Sequence, residues 1–190
     1  MPRIIVILFA LLALNVAFTV AAEADKKVEL ITSFEDDADS SYWGTDGEIE
    51  VVAEHPTDGK NSLKVLYPAD PESEKRCYSE EKNLESLFPL DWSPYKKLQI
   101  DVYNDNVKEA ALQVRIKSTN GKKVWSKKFV IPSKKTETLE IPMEDLKTKI
   151  DLEEISNFAF GMGKNRYLTE MAPLDVDYTL YFDNIRMIKK

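Results

Sequence analysis

One cysteine, Cys77, and one histidine, His55, are the whole supply of the two side chains that most often carry nucleophilic and metal chemistry. A lone thiol cannot form an intrachain disulfide, so core packing, with or without a metal ion, has to hold the fold. A lone histidine followed by Pro56 argues against a catalytic triad and against a His/Cys zinc site. The six glycines form neither a Gly-x-Ser-x-Gly elbow nor a phosphate-binding loop. Positive charge is also short, 26 basic against 33 acidic residues for a formal net charge of −7, which argues against nucleic acid or an anionic membrane surface as partner. Helical periodicity is missing as well: no long segment spaces its apolar residues by three and four, and that points away from helical architectures.

Only one long apolar run exists. Residues 4–20 are apolar apart from Asn15 and Thr19, Arg3 precedes them, and Ala22-Glu23-Ala24 has the small-x-small form of a processing site. Residues 1–24 are therefore expected to be a cleaved secretory signal, which implies a secreted or periplasmic location. The rival, a retained membrane anchor, is weaker because a bilayer span takes ~20 apolar residues. Arg3 and Glu23 cancel, so the charge of −7 survives cleavage. Residues 25–190 are long enough for one domain with its own core and need no membrane insertion.

What is there is alternation. The clearest case is residues 91–104, where Trp92-Ser93-Pro94-Tyr95 makes an entry bend and Leu98, Ile100 and Val102 then alternate with Gln99, Asp101 and Tyr103. Residues 110–118 repeat the pattern, with Leu112, Val114 and Ile116 against Gln113, Arg115 and Lys117. Further short period-two segments cover 28–34, 47–54, 62–67, 122–131, 136–142, 155–162 and 179–188. Residues 68–88, with Pro68, Pro71 and a dense charge run, are expected to form a long loop holding one helical turn near 83–87. A second short helical turn is expected over 143–150. The class is all-β: about nine strands in a jelly-roll β-sandwich of two antiparallel sheets, with a barrel as the alternative.

Four short motifs occur in order: Ser33-Phe34-Glu35; Asp58-Gly59-Lys60-Asn61-Ser62-Leu63-Lys64-Val65; Asp91-Trp92-Ser93 through Asp101-Val102-Tyr103-Asn104; and Leu180-Tyr181-Phe182-Asp183-Asn184. Together they resemble the galactose-binding-domain-like β-sandwiches, which include many carbohydrate-binding modules of secreted bacterial proteins. The resemblance implies a glycan or polysaccharide ligand. It also implies a structural Ca²⁺ held by Glu35, Asp183 and the backbone around Lys60 and Asn61, with Asp36, Asp37 and Asp58 as further oxygen sources. Mixed carboxylates and carbonyls suit calcium, although turn amides could equally satisfy the same carboxylates.

A sugar site needs aromatic faces and planar polar side chains. Gln99, Asp101, Gln113 and Arg115 are expected on one sheet face with Tyr103 at its rim. An Asp101–Arg115 surface ion pair would look the same in the sequence. The competing location is a loop edge carrying Trp43 with Tyr42, Trp92 with Tyr95, and Tyr167, with Trp43 the aromatic to test first. Trp92 is expected to pack beneath the strand it introduces, and Trp125 to lie in the core. A protein-interaction domain is the first rival function. A glycoside hydrolase is the second, with Asp101 or the pair Glu170 and Asp175 as acids.

Overall fold

The computed structural model describes residues 27–45, 47–70, 72, 75–119, 123–164 and 171–190. The expected signal, Tyr167 and Glu170 fall outside them. Among the described residues eleven strands form: β1 (Val28–Thr32), β2 (Gly44–Thr45), β3 (Glu48–Val52), β4 (Ser62–Tyr67), β5 (Arg76–Glu80), β6 (Tyr95–Asn104), β7 (Ala110–Ser118), β8 (Val124–Ile131), β9 (Thr136–Pro142), β10 (Ile155–Met162) and β11 (Tyr178–Lys189). A 3-10 turn spans Asp37–Tyr42, and two short helices, α1 (Glu81–Leu87) and α2 (Met143–Lys147), cap the ends.

The strands make an antiparallel sandwich. The first sheet runs β3-β4-β11-β6-β9, and β1 also pairs with β11; the second runs β2-β5-β10-β7-β8. β11 is long enough to hold β4 along Tyr178–Phe182 and β1 along its far half, and the register shifts between Asp183 and Arg186. Asn184, at φ 47°, sits in that irregularity, a conformation that asparagine tolerates better than most residues.

Two expectations need correction. The charged segment 68–88 contains β5, because Arg76-Cys77-Tyr78-Ser79 alternates: Cys77 and Ser79 are buried, while Arg76 and Tyr78 face outward. Consecutive strands β6 and β7 lie in opposite sheets, so Gln99, Asp101 and Tyr103 do not share a face with Gln113 and Arg115. The link between the sheets is pinned by Asn104, fully buried, whose amide N–H groups reach the carbonyls of Lys108 and Ile131, both at 2.9 Å.

Inward rows of the two sheets interdigitate as the alternation requires. Leu98, Ile100 and Val102 meet Leu112, Val114 and Ile116, and none of the six is exposed. An aromatic seam runs through the middle, Trp43 to Phe160 to Phe182, with Phe158 and Trp92 alongside. Trp92 is fully buried and its indole N–H donates to the Pro89 carbonyl at 2.8 Å; Trp125 is 6 % exposed. Both therefore sit where the pattern places them.

Candidate functional site

The outer face of the first sheet is closed over along β6 and β11, while its β3–β4 end stays open as a cavity lined by Glu48, Glu50, Lys64, Leu66 and Thr179. β6 and β11 set Asp101 opposite Asp183, Tyr103 opposite Tyr181 and Gln99 opposite Arg186, and residues 53–61 fold across them. Asp183, 1 % exposed, accepts the backbone N–H groups of Thr57 (2.6 Å), Asp58 (2.8 Å) and Asn184 (2.6 Å). Burial pushes its carboxyl above the usual 3.8, and the N–H groups of Asp58, Thr57 and Asn184 pull the other way. Asp101 is bound by both terminal nitrogens of Arg186 (3.0 and 3.4 Å), the Thr138 hydroxyl (2.6 Å) and the Asn184 amide (3.0 Å). The Thr57 hydroxyl lies within 3.1 Å of Oδ2 of both aspartates and can give its one proton to either.

The neighbouring rows of β6 and β11 are committed in the same way. The His55 ring lies flat on Tyr103, centroids 3.8 Å apart, and meets Tyr181 edge-on; the Tyr181 hydroxyl donates to Glu54 at 2.6 Å. Gln99 donates to Glu140 and accepts from the Arg186 Nε–H. So Gln99, Asp101 and Tyr103 hold the protein together here, and the partner of Asp101 is Arg186 rather than Arg115. Trp43 is corrected too: it is 4 % exposed, and its ring stacks on Phe160 at 5.7 Å inside the core. The residues between β1 and β3 turn it inward because the aromatic seam offers the larger apolar burial.

The two carboxylates of the expected calcium set take backbone N–H groups from one loop. Glu35 Oε1 accepts the N–H groups of Lys60 (2.8 Å) and Asn61 (2.9 Å), so that turn presents donors, not carbonyls, to the carboxylate. Asp183 binds the other end of the same loop. No group of three or more His, Cys, Asp or Glu with metal-holding geometry occurs among the described residues. Gly59 is required for this contact: it sits at φ 66°, and a Cβ there would fall 2.3 Å from a Glu35 carboxylate oxygen. Amide donors from Asn61 and then Lys60 hold the Glu35 carboxyl below its usual 4.5. The sign follows: a carboxyl lowered in the fold stabilises above the unfolded value, and that contribution fades as pH falls below 4.5 through the folded value. The expected result is that Glu35→Gln melts below wild type at pH 7, with the gap closing under acid, while EDTA moves neither melting temperature. A chelator-induced drop would restore a metal role for Glu35.

The outer face of the second sheet is built differently. Two adjacent rows cross it: Arg76–Gly161–Gln113–Lys128, and Gly44–Tyr78–Ala159–Arg115–Ser126. In these two rows the central strand contributes only Ala159 and Gly161, because its large residues Phe158 and Phe160 point into the core. In side-chain size the strip is a shallow trough, with Arg76 and Tyr78 along one wall and Gln113 and Arg115 along the other, two strand spacings or roughly 10 Å apart; Ala159 on its floor is 3 % exposed. The Tyr78 ring lies against Gly44, where a Cβ would come within 2.8 Å of it, and the Arg76 guanidinium sits 4.7 Å from the ring centroid. Gln113 Oε1 is buried with no hydrogen-bond partner among the described residues, which leaves an acceptor in want of an O–H or N–H.

Gln113 and Arg115 thus stay in the candidate site, joined by Arg76, Tyr78, Ala159 and Gly161, which the sequence reading passed over. The signal present was size: large and small residues alternate through Phe158-Ala159-Phe160-Gly161 and through Arg76-Cys77-Tyr78-Ser79.

No protein-family model matches the chain, and no curated protein matches it. Solved structures do. A family 11 carbohydrate-binding module from Clostridium thermocellum, in complex with a beta-1,3-1,4-mixed-linked tetrasaccharide, aligns at a TM-score of 0.57 and 19 % identity over 85 % of this chain and 95 % of its own. The CBM22-1 xylan-binding domain of Paenibacillus barcinonensis Xyn10C aligns at a TM-score of 0.50 and 15 % identity, covering 85 % of this chain and 96 % of that one. An exo-beta-agarase aligns at a TM-score of 0.64 and 15 % identity, and there the match spans 24 % of the longer chain. The chain therefore has the β-sandwich fold of carbohydrate-binding modules, as the four sequence motifs imply.

Proposed function

We propose that this is a secreted, non-catalytic glycan-binding domain whose ligand lies along the outer face of the second sheet. The trough carries the proposal: an aromatic ring laid against the sheet at Tyr78, planar polar side chains at Gln113 and Arg115, and a floor cut down to alanine and glycine. That combination stacks on a pyranose and reaches its hydroxyls. The fold likeness to carbohydrate-binding modules supports it, and the apolar leader with its processing site supports secretion. Against catalysis stands the use made of the acids. Asp101 and Asp183 face each other but are buried under residues 53–61, and Asp175 pairs with Lys108 at 2.6 Å. A glycosidase needs two carboxylates open to the sugar.

Affinity electrophoresis against plant and algal polysaccharides tests the reading. Tyr78→Ala and Arg115→Ala are each expected to weaken binding about tenfold or more, while Gln99→Ala, on the opposite sheet, leaves it unchanged. The reverse pattern would move the site to the first sheet. Failure to retard in any polysaccharide, alongside capture of a stable protein partner, would favour the protein-interaction reading.

A further inference from the structure

We infer that the glycan is acidic, a polysaccharide bearing uronate or sulfate groups; this rests on the proposed placement of the ligand in the trough of the second sheet. The chain as a whole is strongly anionic, at −7, yet among the described residues the central rows of this face carry only cations. Arg76 and Lys128 stand in one row, Arg115 in the next, and Lys117 follows, opposite Asn157. Neither of the two central rows holds an acidic residue. The acids lie at the ends: Glu80 occupies the register position beyond Asn157, and Glu109 precedes β7 near Lys128. On the other sheet's outer face Asp101 pairs with Arg186 and Lys97 with Glu140. An acidic protein that gathers cations along one groove has a field that draws anions to that groove and repels them elsewhere.

The type of cation matters too. Two of the four are arginines, on opposite walls of the trough, and a guanidinium fork matches the two oxygens of a carboxylate or a sulfate. Arg76, Arg115 and Lys117 already engage neighbouring groups, and a guanidinium has five N–H donors to share between a neighbour and a ligand.

Isothermal titration of the purified protein with polygalacturonate, κ-carrageenan, agarose and mixed-linkage β-glucan, at 0.05 and 0.5 M NaCl, tests this. Binding to polygalacturonate or κ-carrageenan is expected to be at least tenfold tighter than to either neutral polymer, and to weaken at least tenfold at the higher salt, where screening shortens to a few ångströms. Lys128→Gln should weaken the acidic ligand and leave residual neutral binding as it was, and Arg76→Gln should weaken the acidic ligand more than the neutral polymers. Preference for polygalacturonate identifies carboxylate as the group recognised, and preference for κ-carrageenan identifies sulfate. Equal, salt-insensitive binding to the neutral polymers overturns the inference and leaves the glycan reading standing. Binding to duplex DNA as tight as to the acidic glycans overturns it in favour of an unspecific cationic surface. Binding to none of the four overturns both.

Discussion

Asp101→Ala is expected to lower the stability of the domain by about 3–5 kcal/mol, the range for removing one partner of a buried ion pair. The Asp101 and Arg186 side chains are only 8 % and 18 % exposed, so the guanidinium left behind keeps its charge in a poorly hydrated place. The Thr138 hydroxyl and the Asn184 amide lose their acceptor in the same step. For a domain of this size each kcal/mol moves the midpoint by about 2–4 °C, so a melt should show a fall of about 6–20 °C. Replacing both partners with apolar residues, Asp101→Leu with Arg186→Met, should recover much of the loss, since the penalty lies in the orphaned charge. Glycan binding by the variant below its melting point should match wild type, because the pair lies on the other sheet. A loss under about 1 kcal/mol would mean that the pair is solvated like an ordinary surface bridge.

Phe160→Ala should fall as far by a different route. The ring is fully buried, with centroids 4.3 Å from Phe182, 4.9 Å from Phe158 and 5.7 Å from Trp43. Its removal opens a cavity between two sheets that cannot close on it without breaking their hydrogen-bonded ladders, and aromatic truncations of this kind cost about 3–5 kcal/mol. Urea unfolding should show the midpoint falling with little change in slope. Phe160→Leu, which keeps most of the volume, should lose clearly less. Equal losses for the two variants would point to a specific ring interaction in place of the cavity.

Where the sequence was read well and where it failed can be traced to particular residues. The strict alternation at Leu98, Ile100 and Val102 determines which side is core whatever the partner strands, and that side is buried. Sheet membership is not local information: nothing within residues 98–118 says that β6 and β7 part company, so Gln99 and Arg115 were placed on one face. The crossover depends on Asn104 bonding to Lys108 and to Ile131, a residue 27 positions away. Trp43 misled because a polar neighbourhood in sequence says little about depth when a 3-10 turn can roll an indole inward. Tyr78 was hidden by the charges that flank it. The closing loop was half legible, since the Asp58-Gly59-Lys60-Asn61 turn is marked, but its capture by Glu35 and Asp183 involves separations of 25 and 125 residues.

The division of labour along β10 bears on how this domain can change. Phe158 and Phe160 carry the packing, while Ala159 and Gly161, between and beside them, set the depth of the trough. Odd-numbered and even-numbered positions of one strand therefore answer to separate demands. Substitutions at 159 and 161, or at their row-mates 76, 78, 113 and 115, can retune what the surface accepts while the interior stays as it is. A family of such domains could diverge in ligand while keeping one interior.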